Sequence, residues 1–129
     1  MTDLKALAEQ AVRAHQQGDL PGAETLYRQI LDADPQLFGP HYYLGLMRMQ
    51  QGRNDEAANC LQEALRISPD NAGARYSLGI ALMALRRAEQ ALAAFDAVMS
   101  TGAQDPRLFN HRGVALWNLK RPAEALASF

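Results

Sequence analysis

Apolar and polar residues follow each other along the chain in the three- and four-residue steps that are typical of amphipathic helices. One helical segment runs from about Pro40 to Gln51, and a second carries an apolar stripe of Ala57, Ala58, Leu61, Ala64 and Leu65. Gly52 separates the two segments, because glycine tolerates the left-handed conformation that commonly ends a helix. Asn54 can cap the second helix through its side-chain oxygen, and Pro69 stops it. The pattern predicts a pair of antiparallel helices joined by a short turn.

The same pattern returns with a period of 34 residues. Four columns of residues keep this spacing: Gly45, Gly79 and Gly113; Ala57, Ala91 and Ala125; Leu61, Phe95 and Phe129; and Pro35 and Pro69. A fixed period of this length is the signature of a repeat architecture, in which each unit is one supersecondary element. We expect a single domain over residues 1–129, with units at about 4–37, 38–71, 72–105 and a partial unit at 106–129.

Three of the repeated residues are glycines in the middle of a predicted helix, where glycine costs about 1 kcal/mol relative to alanine. The expected reason is that the partner helix crosses there and leaves no room for a side chain. The alanines of the second column would face these glycines, and Leu61 and Phe95 would fill the space one turn further on. The helices of each pair are therefore predicted to pack closely around small residues.

These residues resemble the tetratricopeptide repeat, a helix–turn–helix unit of the same period. At the positions of the family pattern the second unit offers Leu44-Gly45, Ala57, Leu61 and Pro69. The sequence departs from the pattern where Arg86 replaces the glycine between two helices, where Ala103 stands for proline, and where the first aromatic residue is missing. The resemblance implies an all-α, right-handed superhelical solenoid of antiparallel helix pairs. Its concave groove would be lined by the first helix of each pair and would hold a peptide or protein segment.

The period places three columns of side chains on the groove side of the first helices. They are Tyr42, Tyr76 and Asn110; Leu46, Ile80 and Val114; and Met49, Met83 and Trp117. Val12 and His15 extend two of these columns into the first unit. Aromatic residues and methionine are enriched in interface cores, and methionine adapts to varied partners. We therefore predict a partner-binding groove, while the leucines of these helices are better explained by packing on the next repeat.

The composition supports a helical protein and narrows its location. Ala and Leu, both strong helix formers, make up about a third of the chain. The chain has 13 basic and 14 acidic residues, so we expect no general attraction to nucleic acid or to anionic membranes. No apolar run is long enough for a transmembrane helix, and the first residues lack the apolar stretch of a signal peptide. A single cysteine, Cys60, excludes an intrachain disulfide and fits the cytoplasm, where we place the protein.

The sequence shows no constellation of catalytic or metal-binding residues. The histidines, His15, His41 and His111, lack the four-residue spacing of a zinc-binding pair, and there is no glycine-rich phosphate loop. Cys60 is expected on the outer face of its helix, and carboxylates such as Glu24 are expected to be solvated. We therefore predict that the chain is not an enzyme by itself and holds no cofactor or metal.

Two functions remain after these exclusions. The first is a protein–protein interaction scaffold that binds a protein or peptide segment in its groove. The second is an N-terminal recruiting or oligomerisation arm of a larger bacterial transferase. Residues 15–31 resemble the first repeat that often precedes glycosyl-, sulfo- or methyltransferase domains. The chaperone-docking subtype of the family is not expected, because only Lys5 fits its carboxylate-gripping positions.

Two features of the chain bear on self-association. Residues 1–71 are acidic overall and residues 72–129 are basic overall, which ordinary solvated charge explains best. The alternative hypothesis is that the acidic half of one copy attracts the basic half of another. The apolar stripe of the last helix has only begun at Phe129. We therefore expect a fragment of a longer protein, whose uncapped last repeat pairs with a second copy.

Overall fold

The computed structural model describes residues 3–128, and every regular element in that range is an α-helix. The helices are α1 (Leu4–Gln16), α2 (Leu20–Ala33), α3 (Phe38–Gln50), α4 (Asn54–Ile67), α5 (Ala72–Ala84), α6 (Ala88–Met99), α7 (Pro106–Asn118) and α8 (Pro122–Ser128). Turns of a few residues connect them, which places consecutive helices side by side and antiparallel. The prediction of an all-α fold is confirmed.

The helices pack in the order of the chain. Each first helix contacts the second helix of its own pair, as α3 does with α4, and that second helix contacts the next first helix, as α4 does with α5. Successive first helices also touch, α3 with α5 and α5 with α7. No comparable contact joins successive second helices within residues 3–128. The first helices therefore form the inner side of the stack, as predicted for a solenoid of helix pairs.

Buried side chains form two groups along this stack. The N-terminal cluster consists of Ala11, Ala23, Tyr27, Ile30, Leu44 and Met47. The central cluster extends from α4 to α7 and includes Leu61, Phe95, Leu108 and Leu116. Because neighbouring pairs share these side chains, each pair completes the core of the next.

The glycines in the middle of the first helices lie where the paired helices cross. A Cβ atom added to Gly45 would lie 2.8 Å from Cγ of Leu61, and one added to Gly79 would lie 2.5 Å from Cε1 of Phe95. Both distances are shorter than carbon atoms tolerate, so the predicted close crossing is confirmed at these two positions. At the third crossing, Phe129 and the side chain of Ala125 lie outside the described residues.

Polar side chains cap several of the helices. Asp3, Asp19, Asn71 and Asp105 each accept a hydrogen bond from a backbone N–H in the first turn of the helix that follows. The predicted cap at Asn54 is wrong. Helix α4 already begins at Asn54, because the backbone carbonyl of the preceding residue accepts the bond from the N–H of Ala57. Helix α3 likewise begins at Phe38, and Pro40 lies within its first turn, where its missing N–H has no intrahelical partner to lose.

The turn between the two helices of a pair has the same backbone in every unit. Gly18 and Gly52 have φ angles of +80° and +75°, and Arg86 and Lys120 both have +61° at the equivalent positions. The left-handed conformation is accessible to glycine at no steric cost, whereas a Cβ atom clashes with the following carbonyl oxygen. The missing glycine in the third unit therefore leaves the turn intact but introduces strain.

Replacement of Arg86 by glycine is expected to raise the free energy of unfolding by about 1 kcal/mol, because it removes the Cβ atom from a left-handed residue. Urea unfolding followed by circular dichroism measures the change. The matched control is Arg86→Ala, which removes the same guanidinium group but keeps Cβ, and should bring no such gain. Equal stabilisation by both replacements would show that the charge, and not the backbone, is responsible.

Candidate functional site

The inner surface of the solenoid is the face formed by the first helices α1, α3, α5 and α7. Exposed large hydrophobic side chains concentrate there. Among the described residues they are Val12 (36% exposed), Tyr43 (38%), Val114 (44%) and Trp117 (57%) on first helices, and Leu126 (70%) on α8. Contiguous exposed apolar patches on proteins often mark interaction sites, which makes this surface the candidate site.

The predicted groove residues differ in how far they reach the solvent. Asn110, Val114 and Trp117 on α7 are exposed. The six on α3 and α5 are half-buried, namely Tyr42, Leu46, Met49, Tyr76, Ile80 and Met83. Of these six half-buried residues, all except Leu46 pack against the central cluster. They therefore cover the core and expose only part of their surface on the inner side of the solenoid. All nine residues thus lie on first helices, and their arrangement as a groove that contacts a partner stays a prediction.

Two tyrosines of the first column connect neighbouring repeats. The ring of Tyr42 stacks on Phe38, with centroids 5.4 Å apart. Its hydroxyl approaches Gly73 of the next unit so closely that a Cβ atom added to Gly73 would lie 3.3 Å away. The hydroxyl of Tyr76 is hydrogen-bonded to Nδ1 of His111 at 2.7 Å. Burial raises the pKa of Tyr76, which keeps this hydroxyl protonated. These side chains therefore hold successive first helices together as well as lining the surface.

A cleft of about 460 Å³ opens on the inner surface between α1 and α3. It is lined by Val12, His15, Gln16, Tyr27, Tyr43 and Gln50. Within it, Nε2 of His15 is hydrogen-bonded to Oε1 of Gln50 at 3.1 Å. The sequence prediction named Val12 and His15 here but missed the other lining residues. Two of the missed residues, Gln16 and Gln50, could have been found from the period. They are equivalent residues of successive units and lie one position beyond the third column.

A buried ion pair joins the first two helix pairs on the other side of α3. Arg48 is 5% exposed and donates a hydrogen bond from Nη2 to Oε1 of Glu24 at 2.6 Å. Arg28 contacts the same oxygen at 2.8 Å. The hydrogen bond from Arg48 is the main reason why the pKa of Glu24 lies below its ordinary value. The expectation that Glu24 is a solvated surface carboxylate is therefore wrong, because α3 packs over it.

Cys60 also differs from its predicted position. It is half-buried and packs against the N-terminal cluster instead of facing the solvent on the outer face of α4. Burial raises the pKa of its thiol, which disfavours the reactive thiolate. Cys60 therefore belongs to the packing between the first two pairs.

The histidines serve local structure. His41 is hydrogen-bonded through Nε2 to the carbonyl oxygen of Pro35, while His15 and His111 bond to Gln50 and Tyr76. Within residues 3–128 no group of three His, Cys, Asp or Glu side chains could hold a metal ion. None of the described helices combines the length and the apolar character that a membrane span requires.

Comparison with known proteins gives the same architecture. Residues 48–110 match the family model of the tetratricopeptide repeat. The structure of MamA AMB-1 superposes with a TM-score of 0.91 at 22% identity, over 98% of this chain and 69% of that one. The 41-end form of MamA from Desulfovibrio magneticus RS-1 gives 0.90 at 20% identity, over 98% and 72% of the two chains. No curated protein sequence matches the chain. At these identities the solved structures establish the fold alone.

Proposed function

We propose, starting from the match of residues 48–110 to the tetratricopeptide-repeat model and from the solenoid fold of the whole array, that this chain is a protein–protein interaction scaffold whose inner surface binds a peptide or protein segment. The observation that carries the proposal is the placement of exposed apolar side chains. Val12, Tyr43, Val114 and Trp117 all lie on first helices, which form the inner side of the stack. In a repeat array this face is the extended concave surface that such proteins use for binding.

The chemistry of the inner surface favours a segment that is mainly uncharged and partly apolar. Tyr43 and Trp117 offer exposed aromatic rings, the side chains that most often dominate binding energy at interfaces. The half-buried Met49 and Met83 lie between them and adapt to the shape of a partner. The nine predicted groove residues are proposed to form the contact surface together.

The alternative hypotheses drawn from the sequence use the same repeat scaffold. An N-terminal arm of a bacterial transferase would recruit its partner through this inner surface. A catalytic domain after Phe129 in the full-length protein would favour that hypothesis. Self-association would involve α8, where Leu126 is 70% exposed. We propose neither that this chain catalyses a reaction nor that it acts outside the cytoplasm.

Trp117→Ala is expected to weaken binding of an inner-surface peptide at least about tenfold, because tryptophan is among the residues that most often act as hot spots when a partner buries them. The peptide is obtained by selecting a random peptide display library on the wild-type chain, and isothermal titration calorimetry gives the Kd for each variant. The matched control is Leu126→Ala, which removes a more exposed apolar side chain outside the inner surface. It should leave the Kd unchanged, and equal losses in both variants would contradict the proposal.

A further inference from the structure

Tyr27 has a buried hydroxyl group that the fold does not use. The residue lies on α2 and is 2% exposed, and its Oη has no hydrogen-bond partner among the described residues. Burial raises the pKa of Tyr27 to about 12, so the hydroxyl keeps its proton at neutral pH and remains a donor. A buried hydroxyl without a partner destabilises a folded protein, and native structures contain few of them.

Tyr27 is also one of the residues that line the cleft between α1 and α3. The ring of Tyr43 stacks on it, with centroids 5.8 Å apart and an angle of 15° between the planes. Tyr43 is 38% exposed and therefore lies between the buried ring and the solvent. The residue that carries the orphan hydroxyl thus lines an inner-surface cleft, where the ring of Tyr43 stacks on its own ring.

The remaining lining residues make this cleft polar. Gln16 and Gln50 bring side-chain amides, Val12 brings apolar surface, and His15 is held by Gln50. Among the described residues that line the cleft there is no Lys, Arg, Asp or Glu. A carboxylate would lose its hydration there without meeting a Lys or Arg side chain, which is unfavourable. A primary amide can accept a bond from Tyr27, donate one to a glutamine oxygen, and place its methylene groups against Tyr43.

We propose that this cleft is a subsite that receives the side chain of a Gln or Asn residue of the bound protein segment. The Tyr27 hydroxyl donates a hydrogen bond to the amide oxygen of that side chain after the ring of Tyr43 has moved aside. The subsite rests on the proposed function, because it requires a segment bound along the inner surface. It adds a preference for one side-chain type at one position of that segment.

Tyr27→Phe in the whole chain tests the subsite, because it removes the hydroxyl and keeps the ring. The probe is the display-selected peptide, synthesised with its Gln or Asn unchanged or replaced by norleucine, which has no acceptor. For the wild-type protein the replacement should weaken binding about threefold to tenfold, the contribution of one hydrogen bond. For Tyr27→Phe it should have no effect. Without peptide, Tyr27→Phe should unfold at the same temperature as the wild type or a higher one.

Two controls separate the subsite from the inner surface as a whole. Tyr42→Phe removes a hydroxyl outside the cleft and should respond to norleucine as the wild type does. Val114→Ala and Trp117→Ala report on the inner surface outside the cleft. If these two weaken binding but Tyr27→Phe shows the wild-type response to norleucine, the subsite is wrong and the proposed function stands. If all variants bind as the wild type does, the proposed function fails. Selected peptides without Gln or Asn, or a less stable Tyr27→Phe, also overturn the subsite.

Discussion

Gly79→Leu is expected to lower the free energy of unfolding by about 3 kcal/mol, a large share of the stability of a chain of this size. Even the first added atom, Cβ, would lie 2.5 Å from the ring of Phe95, which is fully buried. The ring fills the space where α5 and α6 cross and has no free volume to move into. Thermal and urea unfolding of the purified variant measure the loss.

Gly39→Leu is the matched control for this replacement. Gly39 also lies in a first helix, but a Cβ atom there meets nothing within 4 Å. The same substitution should therefore change the free energy of unfolding by no more than about 0.5 kcal/mol, as at other surface positions. If Gly79→Leu is as well tolerated as Gly39→Leu, the close crossing of the paired helices is refuted.

Arg48→Met is expected to lower the free energy of unfolding by about 3 kcal/mol at neutral pH, because it leaves Glu24 without its buried partner. The loss lies at the lower end of the range for buried pairs. The reason is that the Glu24 side chain is 18% exposed and keeps its contact with Arg28. Urea unfolding at neutral pH gives the loss directly, and the double variant with Glu24→Leu should recover much of it, since the unpaired charge is then absent.

The contribution of the Arg48–Glu24 ion pair to the free energy of unfolding decreases as the pH falls. The pKa of Glu24 is lower in the folded protein than its ordinary value of 4.5, so its ionisation stabilises the fold. That contribution is fully present above the pKa of the unfolded chain and is lost as the pH falls through the lower, folded value. The matched variant Glu24→Gln keeps the shape and removes the charge. Its stability deficit should shrink in acid, and a deficit that is constant with pH would contradict the role of the charge.

The repeat period makes most of the fold predictable, because every pair of helices solves the same packing problem with the same residues. Gly45 and Gly79 show this, since their spacing alone indicates the helix crossings that the distances to Leu61 and Phe95 confirm. Helix ends are less predictable. Arg86 replaces the glycine of the family pattern, yet its backbone has the same left-handed conformation as Gly18 and Gly52 in the equivalent turns. The surrounding helices impose this conformation on Arg86.

The period also places the candidate groove residues on first helices, but it cannot show contacts that connect unlike positions of neighbouring units. The bond from Arg48 to Glu24 joins α3 to α2, and neither residue has a charged equivalent at the same position in the next unit. The orphan hydroxyl of Tyr27 is likewise invisible in a sequence, since the equivalent residues Leu61 and Phe95 have no polar atom. Such features depend on the particular side chains that face each other across the boundary between two repeats.

The measurement that tests the account most directly is the titration of wild-type, Trp117→Ala and Leu126→Ala chains with one display-selected peptide. The tryptophan fluorescence of the wild type should change on binding, because Trp117 is the only tryptophan and lies on the inner surface. Binding should be weakened at least about tenfold by Trp117→Ala and not by Leu126→Ala. Unchanged fluorescence together with equal affinities of the three proteins would contradict an inner surface that binds a protein segment.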